Sequence, residues 1–177
     1  ILKLIREGLI VNKITKVTGI LNGTANYILS EMELNNKNFE DVLADAQLKG
    51  FAEADPSFDV DGIDAAHKTL ILSALAYGMM PSIDSLSVKG IRNITLNDIM
   101  YCNELGYKIK LLGNSLVLNN NNGDEELCCS VEPWLIPHSY GLANVTGVIN
   151  AVQIESSLAG TVMITGAGAG GESTASA

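Results

Sequence analysis

Histidine, cysteine and cationic side chains are all scarce in this chain of 177 residues. The two histidines, His67 and His138, lie far apart and show no metal-ligand spacing, so no metal centre is expected. Three cysteines, Cys102 and the adjacent Cys128 and Cys129, make neither a disulfide framework nor a C-x-x-C zinc site. Neighbours on a strand point to opposite faces, and free thiols in a reducing compartment are the expectation. Eleven Lys and Arg stand against twenty Asp and Glu, a net charge of −9. A duplex-binding surface needs clustered cations, so nucleic acid and anionic membrane surfaces are excluded as partners. Long hydrophobic runs are missing too. The longest, residues 69–80, is broken by Ser73 and Gly78 and falls far short of the roughly 20 residues of a bilayer span. No basic segment precedes an apolar one at the start, so no secretory signal is read and a cytoplasmic location is expected. Hydrophobic residues at 47% against 18% charged provide ample core and exclude a disordered chain.

The first half carries helical periodicity and the second half the period of strands. Residues 11–20 alternate as a strand, then 24–33 and 39–48 carry helical spacing, the latter through Phe39, Val42, Leu43 and Ala46. Residues 59–77 read as the longest helix, with Ile63, Ala66, Leu70, Ile71, Ala74 and Leu75 on one face. A short strand over 87–91 and a helix over 97–105 behind a Thr95 cap follow. From Tyr107 the period is two: 107–114, 115–118, 126–132, 149–156 and 161–165 read as strands, with an Asn-Gly hairpin turn over 119–124. The expected fold is α+β, a mixed, largely antiparallel sheet covered on one face by helices. Apolar alternating strands over 107–165 have a face to cover, and a homodimer through that sheet is expected. The chain opens in an uncapped helix (residues 1–8) and closes on what reads as a first helical turn, so it reads as one excised domain, 1–177, of a longer protein.

Three segments concentrate chemistry. Glu53, Asp55, Asp59, Asp61 and Asp64 fall within twelve residues around a turn that opens a helix bearing Lys68. Acids at a helix start are favourable by roughly 0.3–1 kcal/mol each without any site, and Asp64 with Lys68 at i,i+4 makes an ordinary ion pair. Against that, a lysine emerging from an apolar helix beside several carboxylates suits a substrate clamp or proton donor. The turn Gly19-Ile20-Leu21-Asn22-Gly23-Thr24 runs from strand to helix; its N–H groups suit a carboxylate or phosphate, or Asn22 and Thr24 simply cap the helix. Finally, Gly166-Ala167-Gly168-Ala169-Gly170-Gly171 satisfies G-x-G-x-x-G after a strand. It opens no βαβ unit, so it reads as a close backbone approach to something flat, or as a glycine-rich turn.

Taken together, Gly19-Ile20-Leu21-Asn22-Gly23-Thr24-Ala25-Asn26-Tyr27, then residues 46–56 (AQLKGFAEADP), 59–68 (DVDGIDAAHK) and the closing GAGG of 168–171, resemble the catalytic domain of the homoserine dehydrogenase family. The resemblance spans the chain and is strongest over 17–78. It implies interconversion of L-homoserine and L-aspartate 4-semialdehyde with NAD(P), on the shared route to threonine and methionine. By the same resemblance Lys68 is the catalytic proton donor and acceptor, and Asp59 and Asp64 order the site around the reacting oxygen. Glu53 binds the substrate amino group, Gly23 and Thr24 contact the substrate, and Gly168 and Gly170 belong to the cofactor side, Gly170 facing the nicotinamide. The resemblance also implies that NAD(P) is held mainly by an N-terminal Rossmann domain that these residues do not include, along with a second active-site lysine. Ser173 stands where the family commonly has proline. The competing readings are a non-catalytic dimerisation module and a different reductase of the same layout; Glu53 with Lys68 discriminates, because an assembly module has no use for that pair.

Overall fold

A computed structural model describes residues 1–79, 81–119 and 125–168. After a short π-helix (Leu4–Gly8) the order is β1 (Ile14–Ile20), α1 (Gly23–Asn35), α2 (Phe39–Leu48), α3 (Ser57–Val60), α4 (Ile63–Tyr77), β2 (Ser87–Val88), α5 (Leu96–Glu104), β3 (Tyr107–Asn119), β4 (Glu125–Pro137), β5 (Ile149–Ser156) and β6 (Gly160–Ala167). The six strands form one sheet in the order β2-β4-β3-β1-β5-β6. Every pairing is antiparallel except the two-residue contact of β2 with β4. The expected α+β class with a mixed, largely antiparallel sheet is the observed one.

Helices cover one sheet face. Ile28 and Met32 of α1, Val42 of α2, Val60, and Ala65, Ala66 and Leu72 of α4 bury against Val17, Leu111, Val131 and Ile154. Side chains one residue along point the other way. Ile20, Leu112 and Ala151 there meet Leu142, Ala143 and Val145 around a single turn at Gly141–Asn144. β1 sits near the middle of the sheet, between β3 and β5. Residues immediately after its last strand position therefore emerge at the centre of the sheet's end.

Four expectations need correction. The helix read over 59–77 is two helices, because Asp61 and Gly62 (φ 84) turn the chain between α3 and α4. The buried face of α4 is Ala65, Ala66, Thr69, Leu72 and Ser73, while Ile63, Ile71 and Leu75 of the expected face are exposed. Small residues go inward because β3 approaches closely: a β-carbon on Gly113 would fall 2.2 Å from Thr69 Oγ1. The pair of strands read over 107–118 is one strand, paired without a break to β4 from Tyr107↔Pro137 to Asn119↔Glu125. The strand read over 87–91 stops at Val88, since Gly90 turns against the Val60 carbonyl and Ile91 N–H bonds to it. Thr95 caps α5 as expected, in a capping box with Asp98. Of the Asn-Gly turn, residues 120–124 lie outside the described residues.

Candidate active site

The last strand residue of β1 is followed by Leu21 and Asn22, and α1 begins at Gly23. Asn22 is extended (φ −125, ψ 116) and its side-chain oxygen accepts from Ala25 N–H at 2.8 Å, the N-cap geometry. Thr24 is not a cap: its hydroxyl donates to the Phe51 carbonyl at 2.7 Å, tying the start of α1 to the loop after α2. Gly23 lies so close to the β5 entry that a β-carbon would sit 2.7 Å from the Val148 carbonyl oxygen.

Two helices, α3 and α4, deliver charge to this turn. Lys68, one turn into α4, donates to Asp64 Oδ2 at 2.7 Å and to the Leu21 carbonyl at 3.0 Å. Asn22 Nδ2 donates to Asp64 Oδ2 at 2.9 Å and to Asp59 Oδ1 of α3 at 2.6 Å. Lys68 and Asp64 are 43% and 20% exposed at their side chains, so the pair faces open space from a half-buried base. That space is a cavity of about 470 Å³ lined by Asn22, Gly23, Thr24, Asp59, Asp64 and Lys68, with Lys49, Gly50 and Phe51 on one side and Val148, Asn150 and Gly168 on the other.

A second cavity, about 460 Å³, adjoins it and is mainly apolar, lined by Ile1, Leu2, Leu21, Ile71, Leu72, Val152, Ile164 and residues 165–168. Lys68, Asn150 and Gly168 border both. Asn150 Nδ2 donates to the same Leu21 carbonyl that holds Lys68, at 3.3 Å. Its buried Oδ1 has no partner among the described residues. A polar compartment and an apolar one thus meet at a lysine.

Of the residues singled out from sequence, the fold brings Lys68, Asp64, Asp59, Gly23, Thr24 and Gly168 to one cavity. Glu53 is exposed and outside its lining; Gln47 Nε2 donates to its backbone carbonyl at 3.0 Å, fixing the loop with the carboxylate turned outward. The expectation that Glu53 and Lys68 converge on one cleft is therefore not met in this conformation. Gly170 lies outside the described residues. Three site neighbours had no sequence signal as such: Asn22 as a bridge between carboxylates, Asn150 on β5, and Lys49. The Lys49 ammonium bonds Asp45 Oδ2 at 2.7 Å and the Tyr27 hydroxyl at 2.9 Å. That carboxylate holds Lys49 well above the usual lysine range, and Lys49 holds Asp45 below the usual carboxylate range. Among the described residues no group of three His, Cys, Asp or Glu could hold a metal ion. No helix there is long and apolar enough to cross a membrane.

The family model for homoserine dehydrogenase matches residues 1–177. The chain belongs to the homoserine dehydrogenase family. It is 49% identical over 177 residues to homoserine dehydrogenase of Neisseria gonorrhoeae and 48% identical over 176 residues to that of Pseudomonas aeruginosa. It covers 100% and 99% of itself in these matches but only 40% and 39% of those proteins, so it spans about 40% of the length of these relatives. The crystal structure of a homoserine dehydrogenase from Thiobacillus denitrificans superposes with a TM-score of 0.93 at 47% identity, over 99% of this chain and 39% of that one. A mutant of a hyperthermophilic archaeal homoserine dehydrogenase, solved in complex with NADPH, superposes with a TM-score of 0.80 at 30% identity, over 99% of this chain and 48% of that one.

Proposed function

We propose that this chain is the substrate-binding and catalytic part of a homoserine dehydrogenase, interconverting L-homoserine and L-aspartate 4-semialdehyde with NAD(P). The observation that carries this is Lys68, held by Asp64 and the Leu21 carbonyl at the junction of a polar and an apolar cavity. A hydroxy amino acid suits the polar compartment. Its carboxylate is met by the backbone N–H groups that open α1 at Gly23 and Thr24. Its ammonium is matched by carboxylates: Asp59 and Asp64 line the cavity, and the family resemblance assigns Glu53 to the same group.

The apolar compartment suits a flat ring bearing a carboxamide. Two features support that fit: the orphaned Asn150 Oδ1 is an acceptor awaiting a donor, and at Gly168 a β-carbon would fall 2.1 Å from Asn150 Nδ2, so the backbone there must stay bare. Gly168, Asn150 and Ile164 would hold the nicotinamide end of NAD(P). The remainder of the dinucleotide falls to the part of the longer protein outside these residues. When bound, the nicotinamide supplies a hydride acceptor. Lys68, entering this step as the neutral amine, takes the hydroxyl proton of homoserine as the carbinol carbon becomes a carbonyl; in the reverse direction its ammonium returns that proton. Asp64 and the Leu21 carbonyl hold the Lys68 nitrogen in place for that step.

Two further parts of this reading concern assembly and setting. The helix-free sheet face leaves Leu118 and Trp134 exposed, which supports a homodimer through residues 107–165. Cys102, Cys128 and Cys129 are free thiols, which supports a reducing compartment such as the cytoplasm. The deciding test is Lys68→Ala in the full-length protein. Turnover should fall by roughly 10²–10⁴, the usual contribution of a positioned acid–base group, with dinucleotide affinity unchanged. Near-normal turnover would refute the assignment.

A further inference from the structure

We propose that Asn22 is a positioning residue of the reaction: its carboxamide clamps Asp59 and Asp64 together and thereby sets where the Lys68 ammonium stands. The inference rests on the catalytic reading of Lys68 and adds a residue to it.

The clamp follows from the hydrogen-bond inventory of one side chain. Asn22 is 6% exposed. Its two N–H bonds go to Asp59 Oδ1 at 2.6 Å and Asp64 Oδ2 at 2.9 Å, and its oxygen accepts from Ala25 N–H at 2.8 Å. Both amide hydrogens are taken up by carboxylates, and each of the three bonds runs to a different element. An N-cap needs only the oxygen, and Asp, Ser or Thr would serve there equally well. The amide nitrogen is the part that capping does not explain.

Two carboxylates that both accept from one nitrogen repel each other, and the two amide N–H donors between them offset that repulsion. Asp64 Oδ2 is the oxygen that also receives Lys68 Nζ at 2.7 Å. Releasing Asp64 therefore releases the lysine from one of its two anchors, leaving only the Leu21 carbonyl. The charged groups facing Lys68 across the cavity are Asp64 on its own helix, Asp59 on α3 and Lys49 beyond α2. Asn22 is the neutral group through which the two acids are joined.

The test separates capping from clamping, using the full-length protein. Asn22→Asp keeps the size and the capping oxygen but replaces the donor by a third carboxylate. The expected result is a cooperative fold by circular dichroism, a kcat at least tenfold lower, and, for homoserine oxidation, an acidic limb of the kcat–pH profile moved to higher pH as the added negative charge favours protonated Lys68. Asn22→Ser keeps the cap without the charge; kcat should fall while the limb moves much less. Dinucleotide affinity should be unchanged in both. If Asn22→Asp and Asn22→Ser both keep the kcat and pH profile of the unsubstituted protein, Asn22 is a cap and nothing more. If Asn22→Asp does not fold, Asn22→Ser with an undiminished kcat overturns the proposal by itself. Failure of the underlying reading looks different, because there Lys68→Ala itself would leave turnover intact.

Discussion

Replacing Lys110 should leave stability almost unchanged at pH 7 and lower it well above pH 8. Lys110 is 1% exposed on β3, level with the point where β1 gives way to α1. Its ammonium donates to Asn26 Oδ1 at 2.9 Å and to the Val145 carbonyl at 2.7 Å, and no carboxylate among the described residues bonds it. Burial first, and then Lys108, push its pKa from 10.5 down to about 8, with Glu33 pulling weakly the other way. At about 1.36 kcal/mol per unit, keeping the charge inside costs about 3 kcal/mol below pH 8. A methionine of similar length removes that cost. It also leaves Asn26 Oδ1 without its donor and the Val145 carbonyl with only the Asn26 amide, a loss of about 2–3 kcal/mol.

These two effects nearly cancel at pH 7, so Lys110→Met should lie within about 1 kcal/mol of the parent there. Between the folded pKa near 8 and the unfolded value of 10.5, the unfolded chain binds more protons at this site than the folded one. The parent therefore gains stability as pH rises through this window, and the variant does not share the gain. By pH 10 the variant should be about 2–3 kcal/mol the less stable. Urea unfolding followed through Trp134, the single tryptophan, measures the difference at each pH. The raised Tyr27, Tyr77, Cys102 and Cys129 groups titrate in both proteins and drop out of that difference. A gap independent of pH from 7 to 10 would refute the reasoning.

Gly113→Ala should destabilise by about 1–3 kcal/mol through overpacking against Thr69 Oγ1, and Thr69→Ala introduced beside it should restore part of that loss; thermal unfolding of the single and double variants decides, and equal losses would show that the contact is not the cause. Light scattering should give a dimer for the full-length protein, and Trp134→Glu with Leu118→Glu on the helix-free face should shift it toward monomer; a dimer unaffected by both charges would place the interface elsewhere.

The fold class and most element positions were legible in the sequence because periodicity reports one element at a time. Phe39, Val42 and Ala46 define α2 by their spacing alone, and Thr95 marks the start of α5 through its own side chain. What periodicity could not carry was anything set by a neighbour's distance. The helix over 63–77 turns small residues inward only because Gly113 brings β3 against Thr69, and neither residue hints at the other. The same division holds for the site. Lys68, Asp59, Asp64, Gly23 and Thr24 sit in motifs that read as chemistry from residue type and resemblance. Their meeting at one cavity, the outward turn of Glu53, the bridge made by Asn22 and the orphaned oxygen of Asn150 depend on three separated segments converging where β1 ends. Hydrogen bonds of 2.6–3.3 Å are decided by that convergence, and local sequence has no access to it.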